Sequence, residues 1–234
     1  LANICAAKLT KKFKKPIPFR HHDSPEHNEL EKLKEFLKAR GLRKGMTESN
    51  PRKKLNDWLK EIKQKEKSFS WVYQILRSMK LAVYSGKESN HFALGLDEYC
   101  HFTSPIRRYS DLVTHRVIKS IIEKKGSSYS QDEIDEIASV CSEKDREAEK
   151  IVRESSKYLG CKCAEQNIGK EFTGEIVAVL EFGVFIHING LNIEGFCHIK
   201  NLKRSPYYVY DATAHSLTSA NKNNIYTLGD KFKI

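Results

Sequence analysis

FTGEIVAVLEFGVFIHI, residues 172–188, alternates apolar and polar side chains with a period of two, as a half-buried strand must. Gly174 and Gly183 interrupt the alternation, where the strands of a small barrel are expected to bend or bulge. Upstream, as far as about Leu159, the apolar residues recur at helical spacing instead. The change of period divides the chain into a mainly helical part, 1–165, and a β-barrel part, 166–234. The fold class is α+β.

Working back from the boundary, Ser130 and Glu133 form a capping box. The long helix behind it carries Ile134, Ile137, Ala138, Cys141, Ala148, Ile151, Tyr158 and Leu159 on one broad face and charge on the other. Ser68 to Tyr84 reads as a largely buried helix with Trp71, Ile75, Leu76, Met79, Leu81, Ala82 and Val83. Arg43 to Lys67, rich in Lys and Arg, reads as a short amphipathic surface helix on Leu55, Trp58, Leu59 and Ile62. Ser24 caps a helix that opens on Pro25 and runs through Leu30, Leu33, Phe36 and Leu37 to a stop at Gly41. No internal repeat or low-complexity tract appears.

At 234 residues with 39% hydrophobic content the chain can fill a core. Lys and Arg number 41 against 30 Asp and Glu, a formal charge of +11, and the pI is about 9.3. Residues 1–67 carry roughly +10 of that. Such runs are often only solvated faces, yet the balance makes a polyanion the natural partner. The mean hydropathy of −0.57 and the lack of an apolar run of about eighteen residues exclude a membrane span. Six scattered cysteines without a signal peptide imply reduced thiols and a cytoplasmic setting. Cys161 and Cys163 form a C-x-C with no second ligand pair at zinc-finger spacing. Helix-like sequence starts at Leu1 with no initiator Met, so a piece of a longer chain is expected.

HFTSPIRRYSDLVTHR, residues 101–116, holds most of the chemistry. Ser104 can cap a helix whose first residue is Pro105 and which runs to about Lys125 before Gly126. Arg107 and Arg108 then fall in its first turn, where the macrodipole favours acidic residues. Free N–H groups and two guanidinium groups at a helix N-terminus make a phosphate site. Spacings of four from Arg107 to Asp111 and from Asp111 to His115 equally allow an internal ion-pair ladder. The residues alone leave both readings open.

The same sixteen residues resemble the signature of the RNB family, the ribonuclease II and ribonuclease R family of 3′ to 5′ exoribonucleases. The likeness extends upstream through LRSMKLAVYSGKESNHFALGLDEYC, where Arg77, Met79, Ala82, Tyr84, His91, Phe92 and Tyr99 match the family pattern, and to Leu1–Asn3, Arg20, His22 and Pro25. Asn90 stands where a family glycine is usual, a change an αL-tolerant residue accommodates. Downstream, GKEFTGEIVAVLEFGVFIHINGLNIEGFCHI with PYYVYD and YTLGDKFKI resembles the appended RNA-binding OB-fold barrel named after ribosomal protein S-one, in the form carried by ribonuclease R. The barrel is expected to be cut short after Ile234.

The resemblance implies a catalytic role for Arg107, neutralising charge that builds at the scissile phosphate. Arg108 is left as an RNA-backbone contact or a structural ion pair, and Tyr109 as a base-stacking or a core residue. Ser104 is the cap; His101, His115 and Arg116 line the RNA channel or lock the motif to its neighbours. In the barrel Phe172, Phe182, Phe185 and His198 resemble the aromatic face on which single-stranded bases stack, at about 1–3 kcal/mol each. Phe182 beside Gly183, and His198, are favoured for RNA contact, whereas Phe185 fits core and RNA equally. Lys200, Lys203 and Arg204 extend the basic surface.

The family holds magnesium on a cluster of four aspartates in the first half of its catalytic domain, and no such spacing occurs here. Asp97 with Glu98 and the group from Asp132 to Glu136 read as structural. The family's small cold-shock-type domains are also missing. The chain is therefore expected to be the second half of a catalytic domain with its barrel, binding no metal itself, its magnesium ligands lying upstream. The implied activity is 3′ to 5′ hydrolysis of single-stranded RNA to nucleoside 5′-monophosphates, with this fragment inactive alone. The whole protein is expected to be a monomer and the fragment to self-associate. A non-catalytic RNA-binding module is the alternative. A helix of residues 105–125 set in a DNA groove is a weaker third reading, against which the barrel argues.

Overall fold

The computed structural model describes residues 1–64, 69–126, 129–191, 193–203, 205, 207–212, 214–221 and 223–234. Helices and antiparallel sheets share the chain, as the two periods require. Two compact units emerge, Leu1–Ser24 with Lys80–Val152 and Pro25–Met79 with Arg153–Ile234. Among the described residues no helix is long and apolar enough to cross a membrane.

In the first unit, α1 (Ala2–Lys12) presents the small residues Ala6 and Ala7 to α5 (Tyr109–Ile122), which answers with Val117. Ile17, Phe19 and Cys100 complete that core, and Phe102, Ile118 and Ile121 close over it. β1 (Phe19–His21) pairs antiparallel with β2 (Val83–Ser85). The continuous helix expected from Ser68 to Tyr84 is not formed. Ser68 itself lies outside the described residues. Its helical portion is α4 (Phe69–Arg77), which belongs to the second unit, buries Trp71 and Ile75 and leaves Leu76 exposed. Val83 and Tyr84 turn to the strand because β1 offers an open backbone edge that β-branched and aromatic residues suit.

α5 also differs from expectation. It starts at Tyr109, with Arg108 as an extended N-cap (φ −126°, ψ 117°), and ends at Ile122. Pro105, Ile106 and Arg107 form a turn outside it. Ser104 is therefore not its cap, and neither arginine lies in its first turn. The reason is a buried carboxylate described below. The capping box ahead of α6 (Gln131–Glu165) is formed as expected: Glu133 Oε2 accepts from the Ser130 N–H at 2.7 Å, and Ser130 Oγ from the Glu133 N–H at 3.3 Å. Only Ile134 and Ala138 of α6 are buried, while Ile151, Tyr158 and Leu159 stay exposed.

In the second unit, α2 (His27–Ala39) buries Leu30, Leu33, Phe36 and Leu37, and α3 (Pro51–Gln64) buries Leu55, Trp58 and Ile62. α2 begins two residues later than expected, since the chain stays extended through Glu26 (φ −69°, ψ 149°) while Pro25 packs inward. Gly41 ends it in the left-handed conformation (φ +79°). The strands are β3 (Thr173–Leu180), β4 (Gly183–Ile188), β5 (Ile193–His198), β6 (Tyr208–Asp211), β7 (Ser216–Ser219), β8 (Ile225–Thr227) and β9 (Lys231–Lys233). They make two sheets, ordered β5-β4-β3-β9 and β6-β7-β8. Ile176, Val179, Val184, Ile186, Leu202 and Leu217 fill the core of this part. The irregularity in β3 falls between Ile176 and Ala178, not at Gly174 or Gly183. The two glycines serve close approach instead: a Cβ on Gly174 would stand 2.6 Å from the His187 carbonyl oxygen, and one on Gly183 2.4 Å from that of Cys197.

Candidate nucleic-acid interface

The turn before α5 is held by Asp111, which is fully buried. Its Oδ2 accepts from the Ser104 N–H at 2.7 Å and from Arg108 Nη2 at 2.9 Å, and its Oδ1 from Ser110 Oγ at 3.3 Å. Arg108 Nε also stands 2.9 Å from Oδ1 but off the direction of a hydrogen bond, a charge contact only. A carboxylate taken this far from water needs such partners. It ties residue 104 to residue 108 and so keeps the intervening segment out of the helix. The Arg107 and Arg108 N–H groups close the turn on the Ser104 carbonyl at 3.2 and 3.1 Å.

The neighbouring arginines thus differ. Asp111 pairs with Arg108 rather than Arg107, so the expected ladder through Arg107 is not formed. Arg107 is exposed, and its guanidinium has no hydrogen bond or ion pair among the described residues. Ile106 is fully exposed beside it and Tyr109 half exposed, outside the core. The turn offers one free guanidinium on a fixed backbone, a donor fork suited to phosphate.

His115 stacks on Phe102 with ring centres 4.0 Å apart, and its Nε2 donates to the Phe102 carbonyl at 2.7 Å, fastening α5 to the strand-like segment before the turn. His101 lies 2.8 Å through Nδ1 from the Tyr84 hydroxyl. Burial, reinforced by Arg108 and Arg20, pushes its pKa down to about 4, so the ring is neutral at pH 7. His91 is likewise pushed down to about 4 by burial, then by His22 and Arg20. Arg116 is exposed and donates to the Tyr129 hydroxyl at 3.0 Å. Arg20 pairs through Nη2 with Asp145 at 2.8 Å, its carbon 4.6 Å over the Tyr84 ring, while its buried Nη1 finds no partner.

In the second unit the β4–β5 register sets Phe185 opposite Phe196 and Gly183 opposite His198. Phe196 lies 5.6 Å from Phe182, 5.0 Å from Phe185 and 6.2 Å from His198, ring centre to ring centre. Phe182 and Phe196 are exposed, Phe185 and His198 half-buried. Gly183 makes room for this cluster, since a methyl there would stand 2.7 Å from a Phe196 ring carbon. His198 Nδ1 accepts from the Lys200 N–H at 3.1 Å, which leaves Nε2 to carry the ring proton. Lys200 and Lys203 are exposed nearby in sequence; Arg204 lies outside the described residues. Phe172 stands apart, with no ring contact to the cluster among the described residues and its backbone paired to Ile234.

Phe196 was the residue that the sequence reading missed. The signal was present in IEGFCH, where Phe196 precedes His198 by two and must share its face of the strand.

Among the described residues no three Asp, Glu, His or Cys side chains converge to hold a metal. Glu98 is paired with Lys11, and Glu133 is the acid of the capping box. The six cysteines are free thiols. The donor set therefore does not fit a magnesium centre.

Comparison with known proteins finds a family model for each of two stretches of the chain. The RNB domain model matches residues 1–124 and the S1 RNA binding domain model residues 165–233. The chain is similar to ribonuclease R of Vibrio parahaemolyticus, 37% identical over 100% of this chain and 29% of the relative. It is also similar to ribonuclease R of Buchnera aphidicola subsp. Schizaphis graminum, 37% identical over 100% of this chain and 33% of the relative. Among solved structures it matches Mycoplasma genitalium RNase R in complex with ribose methylated single-stranded RNA, with a TM-score of 0.85 and 26% identity over 99% of this chain and 37% of that one. The chain thus spans about a third of the length of these relatives.

Proposed function

Because this chain belongs to the RNB family, we propose that it is the RNA-engaging part of a 3′ to 5′ exoribonuclease. The activity belongs to a longer chain, in keeping with the third of its relatives' length that is spanned. That enzyme adds water across the terminal phosphodiester of single-stranded RNA, releasing a nucleoside 5′-monophosphate and an RNA one nucleotide shorter. In this proposal magnesium and its ligands lie in the longer chain; among the described residues the carboxylates do not converge.

The observation that carries the reading is Arg107, unpaired among the described residues, on a turn fixed by a buried acid. In this proposal Arg107 faces the scissile phosphate and neutralises charge as the transition state forms, a role worth about 2.7–4 kcal/mol for a comparable donor. Tyr109 and Arg116 extend the RNA contact, and Ser104, Arg108 and His115 act by holding the turn. The S1-type domain, taken as an OB-fold from near residue 166, stacks bases on Phe182, Phe196 and His198, with Phe185 behind them and Lys200 on the backbone. Phe172 is assigned a supporting place at the strand end.

The purified 234-residue chain is tested with 5′-labelled single-stranded RNA, in magnesium and then in EDTA. The proposal expects a complex in both and intact RNA in both. Magnesium-dependent shortening from the 3′ end would contradict the placement of the metal ligands. Absence of any complex would contradict RNA engagement. A second reading is a binding module whose longer chain does not hydrolyse RNA. A 3′ to 5′ product ladder from the longer protein would exclude it.

A further inference from the structure

The end of α1 carries charge that neither surface above uses. Residues 11–15 read KKFKK. Lys11 is neutralised, paired with Glu98 and lying 3.0 Å from Glu88. Lys12, Lys14 and Lys15 have no side-chain hydrogen bond or ion pair among the described residues, and neither has Lys87. Lys11, Lys14, Lys15 and Lys87 line one surface cleft of about 410 Å³, where Glu88 is the sole carboxylate among its described lining residues. Phe13, half exposed, lies between Lys12 and Lys14 in sequence, at the edge of that cleft-lining run.

Helix termination explains only part of this. Lys11 and Lys12 sit in the last turn, where cations complement the negative end of the macrodipole. Lys14 lies beyond it. The Lys14 N–H returns to the Lys11 carbonyl at 2.9 Å and the Lys15 N–H to that of Thr10 at 3.0 Å, so Lys14 takes the left-handed position with φ +50°. Glycine is the unstrained residue there. α2 closes in the same way and does use glycine, with Gly41 bonded to Lys38 at 3.0 Å and Leu42 to Leu37 at 3.1 Å. At the end of α1 a cationic side chain occupies a position where the backbone disfavours any side chain, as Lys124 (φ +53°) does at the end of α5.

We infer that Lys12, Phe13, Lys14, Lys15 and Lys87 form a further contact for single-stranded RNA, the lysines on phosphates and Phe13 under a base. This rests on the reading that the protein engages RNA, and it uses none of the residues named there. An anionic membrane fits the lysines but not the rest, because it needs a broad apolar helix face. The apolar face of α1 is occupied by Ala6 and Ala7 in the core.

Fluorescence anisotropy with a labelled single-stranded oligoribonucleotide, titrated across salt, tests the contact on the full chain. For single strands the log–log slope changes by about 0.7 per phosphate released. The triple variant Lys12→Ala/Lys14→Ala/Lys15→Ala is expected to lose about 2 from the slope, and Phe13→Ala to weaken binding roughly fivefold or more at unchanged slope. Lys14→Gly separates contact from folding: its melting temperature rises by a few degrees while the slope falls by about 0.7. A triple variant with native circular dichroism and an unchanged slope overturns the contact alone. So does loss of binding to phosphatidylserine vesicles with RNA binding unaltered. Failure of the unmodified chain to bind the RNA overturns the reading beneath it and the contact together.

Discussion

The turn at residues 104–108 and the β4–β5 face, the two candidate surfaces, are built by opposite means. In the turn the exposed group is a charge, and everything that fixes it is polar and hidden: Asp111, the Ser104 N–H and Arg108. On the sheet the exposed groups are rings, and what fixes them is strand register and a missing Cβ at Gly183. A surface held by one buried acid should fail all at once. A surface held by register should lose its contacts one ring at a time.

The largest effect that could break this contrast is at Asp111. Asp111→Ala leaves the Arg108 guanidinium half-buried without its acid and the Ser104 N–H without an acceptor. The expected loss is about 3–5 kcal/mol in the first unit, read as a lower urea midpoint. Acid comes next. His91 and His101 have folded pKa values of about 4, below the unfolded value near 6.5. Their contribution is complete above about pH 6.5, is lost as pH falls toward 4, and changes no further below that. Each contributes a slope of at most about 1.4 kcal/mol per pH unit, less for their partial exposure. Urea unfolding at several pH values across that window checks it; a flat midpoint would contradict neutral buried rings.

The sheet face should show a smaller, local effect. Phe196→Ala is expected to weaken single-stranded RNA binding by about 1–3 kcal/mol, with stability nearly unchanged because the ring is already half exposed. Gly183→Ala, which drives a methyl into the Phe196 ring and the Cys197 carbonyl, should reduce both binding and stability. If Phe196→Ala instead lowers the melting temperature steeply without touching affinity, the ring belongs to the core.

The contrast also explains what could be read from sequence. Period-two alternation revealed β3 and β4, and the capping box at Ser130 and Glu133 marked the start of α6, because both signals are local. The start of α5 was not legible. Ser104 and Pro105 carry a sound local signal for a helix N-terminus, and it is overridden by a carboxylate seven residues on that captures the Ser104 N–H. Val83 and Tyr84 continue an apolar run and yet form a strand, since their partner lies at Phe19–His21, far off in sequence. The residue types of the candidate turn were visible, whereas the division of labour between Arg107 and Arg108 was not. Spacing put Asp111 within reach of both, and only the extended N-cap conformation of Arg108 assigns the acid to it.

That division is tested most directly by Arg107→Ala and Arg108→Ala measured side by side for melting temperature and single-stranded RNA affinity. Arg107→Ala is expected to weaken RNA binding with stability changed by less than about 0.5 kcal/mol, as for any exposed side chain unpaired among the described residues. Arg108→Ala is expected to lower the melting temperature, because the acid it leaves is buried. A stable Arg108→Ala with impaired binding, beside a destabilised Arg107→Ala, would contradict that division.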